Sequence, residues 1–153
     1  MAEVAEGAPA PEFELETPDG PVKLADFKGK TVVLYFYPKD DTTGCTREAQ
    51  DFTALAGGFA KAGVTVIGVS KDSVASHRKF ASKYDLAVKL GSDPTGATVE
   101  RYGSWVEKSL YGRKYMGIDR STFLIRDGKV ARIWRKVRVA DHAQQVLDAA
   151  KAL

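Results

Sequence analysis

The segment Thr31-Val32-Val33-Leu34-Tyr35-Phe36-Tyr37 is a continuous apolar run, β-branched at its start, aromatic at its end and closed by Pro38. A run without polar alternation belongs to a strand covered on both faces, so it demands a sheet with layers packed above and below it. Val64-Thr65-Val66-Ile67-Gly68-Val69 is a second strand of this kind. From Thr43 or Gly44 to about Lys61, Ala49, Phe52, Leu55, Ala56 and Phe59 recur with the period of an amphipathic helix. Strand and helix therefore alternate.

The rest of the chain continues that order. Ser73 is placed to cap a helix from Val74 to Tyr84, and Ala87 to Leu90 reads as a weaker strand. Asp93-Pro94-Thr95-Gly96 is a turn leading into a short helix through Val99 and Tyr102, and the segment after it is read as irregular. Ser121 to Ile125 and Val130 to Trp134 flank an Asp127-Gly128 turn that suits a hairpin. Asp141 is placed to cap a closing helix whose Ala143, Val146, Leu147 and Ala150 share a face. At the start, Phe13 and Leu15 before Pro18-Asp19-Gly20 suggest a short edge hairpin. The expected fold is α/β, a central mixed sheet flanked by helices with an N-terminal hairpin, on the thioredoxin-like plan.

Composition limits what such a fold does. A chain of 153 residues, 44% hydrophobic, is expected to form one compact domain over 1–153, with residues 1 to about 7 flexible. No run of about 18 apolar residues occurs, and Met1 to Ala10 lacks the basic end and apolar core of an export signal, so a cytoplasmic protein without a membrane partner is expected. A net charge of +3 does not call for a nucleic acid. Cys45 is the single cysteine, and with His77 and His142 it makes no zinc spacing, so neither a metal nor another cofactor is expected.

Cys45 lies in the predicted first turn of a helix, after the polar loop Pro38-Lys39-Asp40-Asp41-Thr42-Thr43-Gly44 that leaves a buried strand. Unpaired amides and the positive end of the helix dipole favour a thiolate there, and the thiolate is the nucleophilic form. A lone cysteine is commonly just a small buried hydrophobe. Such a filler has no use for a hydroxyl three residues before it and a proline closing the strand.

Pro38, Thr42 and Cys45 resemble the active-site signature of peroxiredoxins, and Tyr37 to Glu48 is similar to the PrxQ subfamily, also called bacterioferritin comigratory protein. Ser76-His77-Arg78-Lys79-Phe80, Tyr111 to Ile118, Arg120 to Ile125 and His142 before Val146-Leu147 are similar to PrxQ segments in the same order. The resemblance implies a thioredoxin fold and thiol-dependent reduction of hydrogen peroxide and organic hydroperoxides. It makes Cys45 the peroxidatic cysteine and Arg120 the arginine over it, with Thr42 as a further donor and Pro38 as a shield against bulk water. Arginine's fixed fork of donors suits that place. Gly44 and Thr43 support the loop, and Glu48 either orients Arg120 or serves as an acid in a helix's first turn.

Two departures stand out. Thr43 replaces the family's usual proline, and Gln50 and Ala81 occupy the two places where a resolving cysteine is found. A Cys45 sulfenic acid must therefore be resolved by an external thiol such as thioredoxin, glutaredoxin or glutathione, or by Cys45 of a second chain. A monomer is expected, with a weak dimer as the alternative state. A dithiol oxidoreductase lacks its first cysteine here, since Thr42 stands in that position. The remaining rival is a redox sensor or holdase that relays oxidation to a partner protein. Other constellations have simpler readings: His77 and His142 as helix histidines making local hydrogen bonds, Asp40 and Asp41 as a solvated loop, and the basic run from Arg126 to Arg138 as an exposed edge.

Overall fold

The computed structural model describes residues 4–153. Its elements are β1 (Glu14–Thr17), β2 (Gly20–Lys23), a 3-10 turn (Leu24–Phe27), β3 (Thr31–Phe36), α1 (Thr43–Ala54), α2 (Ala56–Lys61), β4 (Val64–Ser70), α3 (Val74–Tyr84), β5 (Lys89–Ser92), α4 (Ala97–Arg101), β6 (Trp105–Leu110), β7 (Arg113–Ile118), β8 (Ser121–Arg126), β9 (Lys129–Trp134) and α5 (His142–Lys151). Seven strands form one mixed sheet in the order β2-β1-β5-β4-β3-β8-β9. β3, β4 and β5 run parallel, while β8 returns antiparallel beside β3.

β3 is central because its residues alternate between two apolar layers. Val32, Leu34 and Phe36 face a cluster that holds Phe13, Ile67, Val99, Tyr102 and Phe123. Val33 and Tyr35, with Tyr37 just beyond the strand, face another, built from Cys45, Phe52, Phe59, Phe80 and Val146 on four helices. Burying each side chain of this size contributes on the order of 1.5–3 kcal/mol, so both faces reward the strand assignment. No helix among the described residues is long and apolar enough to cross a membrane.

Several expectations are met closely. The N-terminal hairpin pairs Leu15 with Val22, and the Ser73 hydroxyl accepts a hydrogen bond from the Ser76 amide at 3.1 Å, capping α3. Asp127 and Gly128 both take positive φ, as a tight hairpin turn between right-twisted strands requires.

Others are corrected. The single helix expected to Lys61 breaks at Leu55, whose amide turns to the Phe52 carbonyl. Gly57 and Gly58, poor helix formers, follow the break. Gly58 also lets α5 approach, since a Cβ there would stand 2.9 Å from Leu147 Cδ2. The segment read as irregular contains the β6–β7 hairpin, turning at Tyr111 and Gly112 with φ of 51° and 78°. It carries no alternating pattern because it projects from the body, leaving Leu110, Tyr111, Tyr115 and Met116 exposed. Asp141 begins α5 but its side chain makes no capping bond. Residues 4–10 run along β9: Gly7 N–H donates to the Val130 carbonyl at 2.7 Å, and Glu6 Oε2 accepts from Ile133 N–H at 3.0 Å. Residues 1–3 of the segment expected to be flexible lie outside the described residues.

Candidate active site

The chain leaves β3 at Phe36 and enters α1 at Thr43, with Thr42 as the extended residue before the helix. The first backbone bond of α1 runs from Thr46 N–H to the Thr42 carbonyl, so the Thr43, Gly44 and Cys45 amides have no acceptor within the helix. No side chain of Thr42 caps them. Cys45, in that first turn and only 2% exposed, is a free thiol.

Sheet register brings the second component to the same place. Ser121 pairs with Phe36 across β8 and β3, so Arg120 arrives beside the end of β3 and above the start of α1. Its Nη2 donates to Cys45 Sγ at 3.2 Å and its Nη1 to Glu48 Oε1 at 2.7 Å. Gly44 makes this approach possible, because a Cβ there would lie 3.3 Å from Arg120 Nη2. The guanidinium is fixed between sulfur and carboxylate, with the Arg120 carbonyl accepting from Val137 N–H at 2.9 Å.

Burial sets the electrostatics. It pushes the Glu48 carboxyl up to about 7 against the pull of Arg120. It also works against the charge of Arg120, yet Glu48 and Cys45 outweigh it and hold the guanidinium above its ordinary value. Glu48 Oε2 and Tyr35 Oη are buried without partners. Burial first, and then the charges of Glu48 and Cys45, raise the Tyr35 phenol well above its usual range. His142 stands nearby on α5, with Nε2 2.8 Å from Thr122 Oγ1. Burial and the Arg120 charge lower it to about 4, so a neutral imidazole backs this side of the site near neutral pH.

Cys45, Arg120, Glu48 and Gly44 are thus brought together. Thr42 is placed differently from the donor role expected of it: it is exposed, and its one hydroxyl proton goes to the Lys39 carbonyl at 2.8 Å. The oxygen retains lone pairs, which makes Thr42 an acceptor. Thr43 is exposed in the first helical position and Pro38 is exposed at the end of β3.

Two acids read as a solvated loop separate sharply. Asp41 is exposed, but Asp40 is buried, and so is His77, which the sequence suggested lay on a helix surface. A signal for His77 was available: it shares the apolar face of α3 with Phe80 and Tyr84 at three- and four-residue intervals. Nothing local in the sequence distinguishes Asp40 from Asp41.

The arrangement is a buried thiol bonded by one prong of a two-pronged cation, in a helical turn whose first amides have no acceptor within the helix. It can stabilise negative charge on sulfur and on an oxygen expelled from a bond that the sulfur attacks. The sequence matches the AhpC/TSA family over residues 7–133. It is 46% identical to the peroxiredoxin Bcp of Bacillus subtilis over 147 residues, covering 95% of this chain and 94% of that protein. Identity to the peroxiredoxin Bcp of Xanthomonas campestris is 50% over 125 residues, or 81% of this chain and 78% of that protein. Among solved structures, Xanthomonas campestris peroxiredoxin Q superposes with a TM-score of 0.87 at 46% identity, covering 92% of this chain and 90% of that one. A mutant of Xylella fastidiosa PrxQ reaches 0.93 at 34% identity, covering 99% and 98%.

Proposed function

Because this chain belongs to the AhpC/TSA family and is a peroxiredoxin of the Bcp/PrxQ type, we propose that Cys45 is its peroxide-attacking thiolate and that an external thiol completes each cycle. The observation that carries the reading is the bridge of Arg120 from Cys45 Sγ to Glu48 Oε1. It supports a thiolate held in one orientation beside donors that remain when a peroxide arrives.

In the first step the Cys45 sulfur lone pair attacks the terminal oxygen of a hydroperoxide ROOH. The S–O bond forms as the O–O bond breaks, giving Cys45–SOH and RO⁻, which takes a proton to leave as an alcohol, or as water when R is hydrogen. Thr42, whose oxygen can accept, suits the O–H of the incoming peroxide. Arg120 and the first-turn amides suit the charge growing on the departing oxygen. The donor–acceptor split follows from the Thr42 proton being committed to Lys39. Pro38, exposed just after β3, suits a role in limiting access to the sulfur by water. Organic hydroperoxides fit the reading, since the Xanthomonas campestris bacterioferritin comigratory protein, 45% identical, is described for its alkyl peroxide reduction activity.

In the second step an external thiol condenses with the sulfenic acid, releasing water and leaving a mixed disulfide; a second thiol reduces that bond and restores Cys45. Two thiols are oxidised to one disulfide for each peroxide reduced. Gln50 is exposed on α1 and Ala81 lies on α3, so the positions of both usual resolving cysteines carry no sulfur. The cytoplasm, where thiols are kept reduced, is the compartment that suits this cycle.

The test is oxidation of purified protein by one equivalent of hydrogen peroxide, followed by alkylation and intact mass. A Cys45 that gains one oxygen, much faster than a free thiol at the same pH, and then forms mixed disulfides with added thiols is the expected result. Oxidation no faster than that of the free thiol sinks the peroxidase reading, and a dominant covalent dimer identifies Cys45 of a second chain as the resolving thiol.

A further inference from the structure

α3 contributes no residue to the Cys45–Arg120–Glu48 contact, yet it grips both adjacent acids of the loop that leads into α1. On the buried side, His77 Nδ1 lies 2.7 Å from Asp40 Oδ2, and Ser76 Oγ donates to the same oxygen at 2.8 Å. Tyr37 Oη donates to Asp40 Oδ1 at 2.5 Å, and the Asp40 amide donates to Asp72 Oδ2 at 2.9 Å. Asp72 Oδ2 also accepts from Ser70 Oγ at 2.6 Å. On the outer side, Lys83 Nζ and Tyr84 Oη donate to Asp41 at 2.8 and 2.5 Å.

Two further facts show that the loop needs holding. Asp41 takes a φ of 58°, a conformation that L residues other than glycine seldom adopt and that surrounding contacts must impose. His77 is fully buried, and its Nε2 stands 3.0 Å from the Gly91 carbonyl, which accepts only. Nε2 must therefore carry a proton, and a further proton lies between Nδ1 and Asp40 whichever of the two formally owns it. A buried pair of this kind is strongly destabilising to break from one side, because the partner left behind has no water.

We propose that the His77–Asp40 pair is a positioning device for the peroxide reaction: it latches the loop of residues 38–42 to α3 and so fixes where α1 begins and where Cys45 meets Arg120. Four residues separate Asp40 from Cys45, and the intervening chain includes the Thr42 carbonyl that closes the first turn of α1. Releasing Asp40 frees that turn, moves the sulfur away from the guanidinium and opens it to solvent. His77 and Asp40 are thus positioning residues, not catalytic ones. The inference rests on Cys45 being the attacking thiol.

Two reactions of the same sulfur test it. In Asp40→Ala and in His77→Leu, the rate of Cys45 oxidation by hydrogen peroxide is expected to fall at least about tenfold, while alkylation of reduced Cys45 by iodoacetamide is expected to rise at least about tenfold. Far-UV circular dichroism and thermal melting report the folded fraction in each case. Asp40→Asn is the rescue. Its Oδ1 can accept from Tyr37, and its amide nitrogen can donate to Nδ1 of a neutral His77 and to Ser76 Oγ, so every contact persists with its direction adjusted. Both rates should then lie within threefold of wild type. Should the alanine and leucine variants fail to fold, Ser76→Ala removes one latch contact alone and is expected to move both rates severalfold in the same opposite directions. Unchanged rates in folded variants overturn the proposal, as do rates that change only in proportion to the unfolded fraction. Iodoacetamide reads loop opening without any peroxidase activity, so failure of the functional reading and failure of the latch give different results.

Discussion

Arg120→Lys separates the geometry of the cation from its charge. The guanidinium uses two nitrogens, one 3.2 Å from the sulfur and one 2.7 Å from Glu48. A lysine ammonium is a single point that settles on the carboxylate, leaving the sulfur and the departing oxygen without a donor in a fixed direction. Removing one preorganised donor of this kind costs about 10²- to 10³-fold in rate, or roughly 3–4 kcal/mol of barrier. The fold should lose far less. The positive charge persists beside Glu48, and where it fails to pair, a carboxyl already at about 7 can take up a proton near neutral pH. That escape costs under about 1 kcal/mol at pH 7, which shifts the melting temperature of a chain of this length by only about 2–4 °C. The assay is single-turnover oxidation by hydrogen peroxide, quenched by alkylation and read by intact mass, alongside a thermal melt. A rate within threefold of wild type removes Arg120's geometry from the mechanism. A melting temperature lowered by more than about 10 °C means that the slowing reflects damage to the fold.

Three further outcomes follow from the same contacts. Gly44→Ala places a methyl group 3.3 Å from Arg120 Nη2 and should slow peroxide oxidation by about tenfold while leaving the thermal melt equal or higher, since alanine favours a helix over glycine by roughly 0.5–1 kcal/mol; an unchanged rate refutes the role of that close approach. For Glu48 the folded carboxyl sits at about 7, above its unfolded value, so the stability it contributes is full below about pH 4.5 and is lost as pH rises through about 7. Urea unfolding of wild type and Glu48→Gln at pH 5 and pH 8 should show the difference between them shifting in favour of the variant, by at most about 3 kcal/mol, and a constant difference contradicts the assignment. Ser73→Ala removes the acceptor for the Ser76 amide and should cost about 1 kcal/mol in the same assay, with no loss meaning that α3 is capped by solvent.

The sequence made the sheet legible where burial is one-sided in its demands. β3 and β4 could be nothing but interior strands, and their order with α1 fixed the position of Cys45 at a helix start. β6 and β7 were illegible for the opposite reason: a hairpin that projects from the body has no core to impose alternation on it. At the site, Arg120 was reachable only through family likeness, because its meeting with Cys45, seventy-five positions away in the chain, depends on the Phe36–Ser121 register. Glu48 was visible as a neighbour on the helix, but its elevated carboxyl comes from tertiary burial that spacing does not encode. Asp40 and Asp41 are chemically identical neighbours, and only the path of α3 decides that one is buried against His77 while the other faces Lys83.

Under the proposed cycle these features place opposed demands on one sulfur. Attack on a small peroxide is served by a Cys45 that is 2% exposed, orientated by Arg120 and shielded from competing reactions. Resolution by an external thiol requires a disulfide, whose two Cα atoms must come within about 4.4–6.8 Å, a distance that a second protein cannot reach while the first turn of α1 covers the sulfur. A resolving cysteine in the same chain would meet this demand by local rearrangement, but Gln50 and Ala81 remove that route. Under the proposed cycle, every contact that holds the loop of residues 38–42 against α3 therefore speeds the first half-reaction and slows the second when the reductant is a protein. A small thiol such as glutathione, which needs less clearance, is accordingly less sensitive to the His77–Asp40 latch than a protein thiol, and the ratio of the two resolution rates in Asp40→Ala and wild type measures how far that opposition extends.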